Sequence, residues 1–478
     1  MLKYFKKYQY GYKLLTLSKK TPPRKPYCIC IFNHLYRIQL KRIKFFLIIK
    51  QNDDFFCGTF ICNYRNNYWQ LNFIKLTVMN KPANRHYFCL LAFFLFYSLF
   101  AIGQLPELAW EKQMRINAPN YFVDAVEMPG GEFVVLGARK MPGERGFDIW
   151  ILQCNDNGDT IQTKVLGNPG NDIPFNIEKD KDSGFLIAVI SSPSEPELFA
   201  RLIAVDVDFK ERWVSEAEQP SALSRTFVTI DDNGNAWWLN TFNGPDDNPE
   251  VVLKKLDESG TVNASFTFAE DFPVSGYAIR TLDDGGVAFT CQVNPPGAKP
   301  TIQVYRINNS GELLWKTFVP SSEKSITPQC ICCSPDNTLL VGGWAGLCYN
   351  PDAPPEQQVF DYDYFLGKLD NDGKLLWIQN YNREGSERGT ALAVLPDGNI
   401  MAGGKCETSF TGSVGPWLLF VDKNGNLLSE KVLKFVSVKD QVARIICTSD
   451  GGLLLIGPGN IDSQNRLTGW MKKLKPVL

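Results

Sequence analysis

LDNDGKLLW (Leu369–Trp377) sets Asp370, Asp372 and Gly373 side by side between two apolar runs. Such a stretch can be a calcium loop, a fragment of an active site or a tight turn. An EF-hand loop counted from Asp370 needs a glutamate at its twelfth position, and that position is Tyr381. Related stretches elsewhere read NDNGD, DESG, NNSG and DKNG, so the acids are not kept from copy to copy. What is kept is a polar residue before glycine, the chemistry of a hairpin turn that needs positive φ. LDNDGKLLW is therefore read as a turn.

Its relatives recur with a period. Hairpins of a second kind, such as ALAVLPDGNIMAGG (391–404) and IRTLDDGGVAFT (279–290), occur seven times. The first apolar residues after their turns are Phe133, Phe185, Ala236, Val287, Leu339, Ile400 and Leu453. Five steps of 51 to 53 residues and one of 61 separate these positions. Each is followed by a polar loop and then by a pair of runs like DYFLGKLDNDGKLLW (363–377). Each unit thus reads as four antiparallel strands, a to d, and repeated four-stranded units are the plan of a β-propeller. The seventh unit ends at GWMKKLKPVL (469–478) with its third strand spent, whereas LAWEKQM (108–114) precedes the first unit. Trp110 stands where Trp315 and Trp377 stand in strand d. The expected fold is an all-β, seven-bladed propeller in which the N-terminal strand completes the last blade and removes two open sheet edges.

The arrangement D-x-W/F-x-x-K-x-D-x-x-G-x-x-x-W, preceded by DGG and Gly-Gly hairpins, resembles the secreted bacterial β-propeller-repeat proteins. It is similar, more loosely, to pyrroloquinoline-quinone-type and kelch propeller repeats. The resemblance covers 104–478 and is one of repeats, so it implies fold and export rather than an activity. One residue fewer separates Asp from Gly than in the quinoprotein pattern.

Upstream of the repeats the chain changes character. Residues 1–78 carry 15 Lys and Arg against Asp53 and Asp54, with no Ala and no Glu. A basic arm for nucleic acid or membrane is one reading; the preferred one is a non-native or disordered extension ahead of the true start. From Met79 follow Lys81 and Arg85, the apolar run Tyr87–Phe100 and Ala101-Ile102-Gly103, the parts of a secretory signal peptide. Export and cleavage before Gln104 are expected. The run is too short to span a bilayer, so no integral membrane segment is expected in the mature chain.

The 375 residues from Gln104 onward hold 33 basic and 49 acidic side chains, a net charge near −16. That balance disfavours nucleic acid, whose phosphates demand Lys and Arg. Both histidines, His34 and His86, lie upstream, which excludes Ser-His-Asp and Cys-His catalysis and imidazole metal sites after cleavage. No cofactor or metal is called for. The adjacent Cys332 and Cys333 invite comparison with the vicinal disulfides of some quinoproteins. With Cys330 they align with Ala391, Ala393 and Val394, however, so small core residues are the preferred reading and a disulfide the alternative.

Two candidate binding sets remain. Arg280 and Arg444 lie on strand a, which lines a propeller channel, and Arg225 and Arg388 lie near strand-a starts; they can hold an anion or pair with acids of neighbouring blades. The longest b–c loop, WAGLCYNPDAPPEQQVFDYDY (344–364), offers Trp344, Tyr349, Phe360, Tyr362 and Tyr364 among acids. It suits a sugar or peptide ligand, or it packs on its own aromatics. The leading expectation is an exported, monomeric, non-catalytic binding or scaffold protein with a protein or carbohydrate partner. The alternative is an extracytoplasmic glycan-active hydrolase or lyase, or a quinone-dependent dehydrogenase, working without histidine. A structural surface protein without a concave site is a third.

Overall fold

The computed structural model describes residues 105–476 and the backbone of five strands between residues 12 and 78. Exceptions within the first range are 142–145, 168–169, 181–183, 194–196, 222–224, 245–247, 321–323, 350–359, 384, 409–413, 434–439 and 461–465, together with the side chains of 360, 408, 414 and 460. The signal-peptide segment and its cleavage point lie outside the described residues. The chain divides into two compact units, 1–101 and 102–478. In the first, Tyr12–Thr16, Tyr27–Asn33, Arg42–Gln51, Asp54–Arg65 and Tyr68–Val78 pair in sequence order as an antiparallel sheet. Their richness in Ile, Phe, Tyr and Thr suits a pleated chain.

The second unit contains seven four-stranded antiparallel sheets and, among the described residues, no helix. Six blades run through 120–166, 171–214, 227–268, 274–319, 325–381 and 385–432. The seventh joins Arg444–Cys447, Leu453–Asn460 and Leu467–Leu474 to Leu108–Gln113. Trp110 pairs with Lys473 in that sheet as Trp315 pairs with Arg306 and Trp377 with Lys368. Strand d of the last blade is thus supplied by the N-terminal segment, as the spacing predicts. The seam is reinforced where Ser449 donates its backbone N–H and its hydroxyl to Glu127 of blade one, each at 2.7 Å.

Strand b reads as a continuous apolar run because blades cover both of its faces. Phe185 to Ile190 in blade two are all buried, as are Leu453 to Ile456 in blade seven. Core clusters accordingly draw on adjacent blades: Leu418 and Phe420 of blade six pack with Leu455 and Trp470 of blade seven. Each such large apolar side chain withdrawn from water contributes about 1.5–3 kcal/mol. The outer strand d alternates between exposed and half-buried residues, as in Leu313–Val319.

The c–d turns obey one rule. The first residue is Asn155, Asp206, Asp257, Asn308, Asp370 or Asp422, and its side-chain oxygen accepts the N–H groups two and four residues on. In the turn of Leu369–Trp377 these bonds are 3.1 Å from Asp372 and 2.8 Å from Lys374. Gly373 has φ +78°, and a Cβ there would stand 2.5 Å from the Trp315 ring of the preceding blade. The bare glycine is a seat for that indole, whose Nε1 donates to the Asn371 carbonyl at 2.8 Å. Trp110, Trp213 and Trp377 seat themselves in the same way on the following blade, donating to Asp156, Glu258 and Lys423.

Blade two departs from the rule. Phe209 holds the glycine position with φ 60° and is buried, and Gln162, in the tryptophan position of blade one, donates to the Val207 carbonyl instead. The buried Phe209 side chain occupies the place where the other c–d turns leave a bare glycine.

Candidate functional site

The channel is lined by strand a, and a recurring irregularity aims its side chains. Register shifts lie between Phe122 and Asp124, Pro174 and Asn176, Gly276 and Ala278, Pro328 and Cys330, and Gly389 and Ala391. The extra residues are Val123, Phe175, Tyr277, Gln329 and Thr390. A β-bulge bends its strand and redirects a side chain, and four of these five line the channel.

At the end where strands a begin, a cavity of about 580 Å³ is walled by Tyr121, Phe175, Arg225, Gln329, Lys405 and Gln441, among others. Lys405 and Pro458 come late in strand b and Leu467 opens strand c, which places this mouth on the b–c face. Below it lies a smaller space of about 100 Å³ bordered by Asp124, Glu178, Arg280 and Arg444.

The four arginines singled out from the sequence divide into three environments. Arg444 and Arg280 are in the smaller space and are paired: Arg444 Nε lies 3.0 Å from Asp124 Oδ1, and Arg280 Nη1 lies 3.4 Å from Glu178 Oε1. Burial pushes the Asp124 carboxyl up, while Arg444 and the N–H groups of Ile177 and Ala125 pull it back. Burial likewise raises Glu178, offset by Arg280. Arg388 stacks on the aromatic loop predicted as a separate site, 4.4 Å from the Tyr362 ring centre and 5.8 Å from that of Trp344. Arg225 is at the mouth. Its guanidinium lies 4.5 Å from the Tyr277 ring centre and donates to Gln329 Oε1 at 2.9 Å. Burial lowers its pKa from the ordinary value. Among the described residues it forms no ion pair.

The aromatic loop does not act as one surface. Tyr364 is fully buried and donates to the Ala391 carbonyl at 2.7 Å, so it belongs to the core. Tyr349 is largely exposed and donates to Asp361. Trp344 and Tyr362 meet edge to face at 6.4 Å. Phe360 has its side chain outside the described residues. The thiols of Cys332 and Cys333 are not bridged, and burial pushes Cys330 up to about 12 and Cys333 to about 11. Such thiols are poor nucleophiles. No group of three His, Cys, Asp or Glu placed to hold a metal occurs among the described residues.

One residue was missed by the sequence reading. Glu387, beside Arg388, is fully buried; its Oε2 accepts the Arg383 N–H at 3.2 Å while Oε1 has no partner among the described residues. Burial, helped by Asp361 and Asp363, pushes it up to about 7. The signal was positional: Asn120, Asp172, Glu387 and Asp440 occupy one place near the start of strand a in four blades, all buried.

No family model matches the chain, and no curated protein does. Solved structures do. A polysaccharide lyase superimposes with a TM-score of 0.51 at 11% identity, over 77% of this chain and 99% of that one. A protein of unknown function from Dyadobacter fermentans gives 0.46 at 10% identity, over 77% and 99%. An α-L-arabinofuranosidase of Fusarium graminearum gives 0.41 at 9% identity, over 78% and 97%. At such identities the likeness is one of fold, and one scaffold hosts many activities. No helix among the described residues is long and apolar enough to cross a membrane.

Proposed function

We propose that the protein is an exported, non-catalytic binding propeller whose channel mouth holds a carbohydrate. The carrying observation is a division of labour along the channel. The mouth presents rings and amides, Tyr121, Phe175, Gln329 and Gln441, around a cavity large enough for a few sugar units. The carboxylates below it are each tied to an arginine. Aromatic faces accept the C–H faces of sugars, and a few placed polar groups orient them. Glycoside hydrolysis instead asks for one carboxyl to give a proton and a second to attack or activate water. Asp124 has both oxygens occupied by backbone N–H donors and Arg444 besides. Export follows from the leader pattern at 79–103 and the absence of histidine beyond it is compatible with a binder.

The test is calorimetric titration of the 104–478 protein with neutral and acidic oligosaccharides, alongside product analysis. Binding that Phe175→Ala weakens by about tenfold, roughly the worth of one lost ring contact, with no change in the sugar, is the expected result. Chain cleavage by the purified protein, or no binding to any oligosaccharide at millimolar concentration, would count against the reading.

A further inference from the structure

Among the described residues, Arg225 is the cation lining the mouth that has no acid paired with it. Lys405 on the same wall is bonded to Glu407 at 2.6 Å, and Arg388, which stacks on Tyr362 and Trp344, does not line the cavity. Arg225 has a π face below and a neutral amide beside it, and neither neutralises a guanidinium. Three blades build this placement: Arg225 comes from blade three, Tyr277 from blade four and Gln329 from blade five. Tyr277 is itself held, its hydroxyl donating to Gln292 at 3.0 Å. A partly desolvated cation without a carboxylate is costly, and a rigidly held guanidinium offers a flat fork of donors to a planar anion. Across the same cavity stand Tyr121 and Phe175, two rings without charge.

Resting on the reading of the mouth as a sugar site, we propose that Arg225 selects a carboxylate-bearing sugar, a uronate, with its acid group toward blades three to five and its ring face toward Phe175. The polarity follows from the two walls. A neutral sugar would leave the guanidinium without an anion, and a purely charged ligand would leave the rings uncovered.

The experiment compares trigalacturonate with maltotriose on the 104–478 protein by titration calorimetry, at low and moderate salt. Wild type is expected to prefer the uronate, more so at low salt. Arg225→Met, which keeps the stem and removes the fork, should weaken the uronate at least tenfold, the size of a lost charge-assisted hydrogen bond, and leave maltotriose unchanged. Arg225→Lys should recover part of the loss, and its melting temperature reports on folding. Arg388→Met should leave the preference intact. Equal binding of both sugars with Arg225→Met silent would overturn the selection of uronates while leaving a sugar site. Equal loss in Arg388→Met would reduce Arg225 to a diffuse positive field, against the proposal. Failure of both sugars to bind would overturn the reading of the mouth itself.

Discussion

The two ends of this propeller are built on opposite plans. At the c–d end each turn repeats one device: an Asp or Asn oxygen caps two N–H groups, and in most blades a glycine receives an aromatic ring from the blade before. At the b–c end the bulge positions differ from blade to blade: Val123, Phe175, Tyr277, Gln329 and Thr390. The c–d joints keep one plan with few departures, because each must mate with its neighbour. A mouth assembled from unlike residues is free to be specific. Repetition is therefore concentrated at one end, and variation at the other.

The sharpest way to break that contrast is to disturb one joint. Gly373→Ala places a Cβ at φ +78° and 2.5 Å from the Trp315 ring. Left-handed backbone strain and overpacking together should cost about 3 kcal/mol, read as a lower urea midpoint with binding at the mouth retained. Comparable loss of ligand affinity in the folded variant would show the ends to be coupled.

On the mouth side, Glu387 should affect stability through pH. Burial holds its folded-state pKa at about 7 against an ordinary 4.5, so the folded protein binds this proton more tightly than the unfolded chain does. Its protonated form carries no penalty at pH 4; stability is then lost as pH rises through the interval up to about 7. Glu387→Gln should match wild type near pH 4 and exceed it by about 3 kcal/mol at pH 8, measured by denaturant unfolding across pH. A parallel pair of profiles would show that Glu387 takes up its proton in the folded protein as it does in the unfolded chain.

The smallest effect separates two neighbouring acids. Asp370→Ala removes a carboxylate that accepts two N–H groups and should cost about 1 kcal/mol. Asp372→Ala, whose side chain caps nothing in the turn, should stay within about 0.5 kcal/mol of wild type. If calcium raised the melting temperature and Asp372→Ala abolished the rise, the turn would be a metal loop after all.

Legibility in the sequence followed the same division. The turns could be read because their chemistry is local: Asp370, Gly373 and Trp377 lie within eight residues. Where the local signal was broken, at Phe209, the c–d hairpin of blade two carried no glycine to mark it. Arg225 was visible as an arginine near a strand start, but its setting was not, since Tyr277 and Gln329 lie 52 and 104 residues away. Tyr364 looked like a binding aromatic and is a core residue: it shares a strand face with Tyr362, but one step further along the strand it packs against Tyr381 and Trp417, whereas Tyr362 meets Arg388.

Seven blades, the hairpin turns and the strand that Trp110 lends to the last sheet were determined by the sequence alone. They depend on period and on backbone preferences that neighbouring residues dictate. Tertiary structure decided which charges are spent and which remain. Closing the ring carries Asp124 to Arg444 and Glu178 to Arg280, removes water from Glu387, and leaves Arg225 facing a cavity. Desolvation and ion pairing depend on distances across blades, and those distances exist only once the ring is closed.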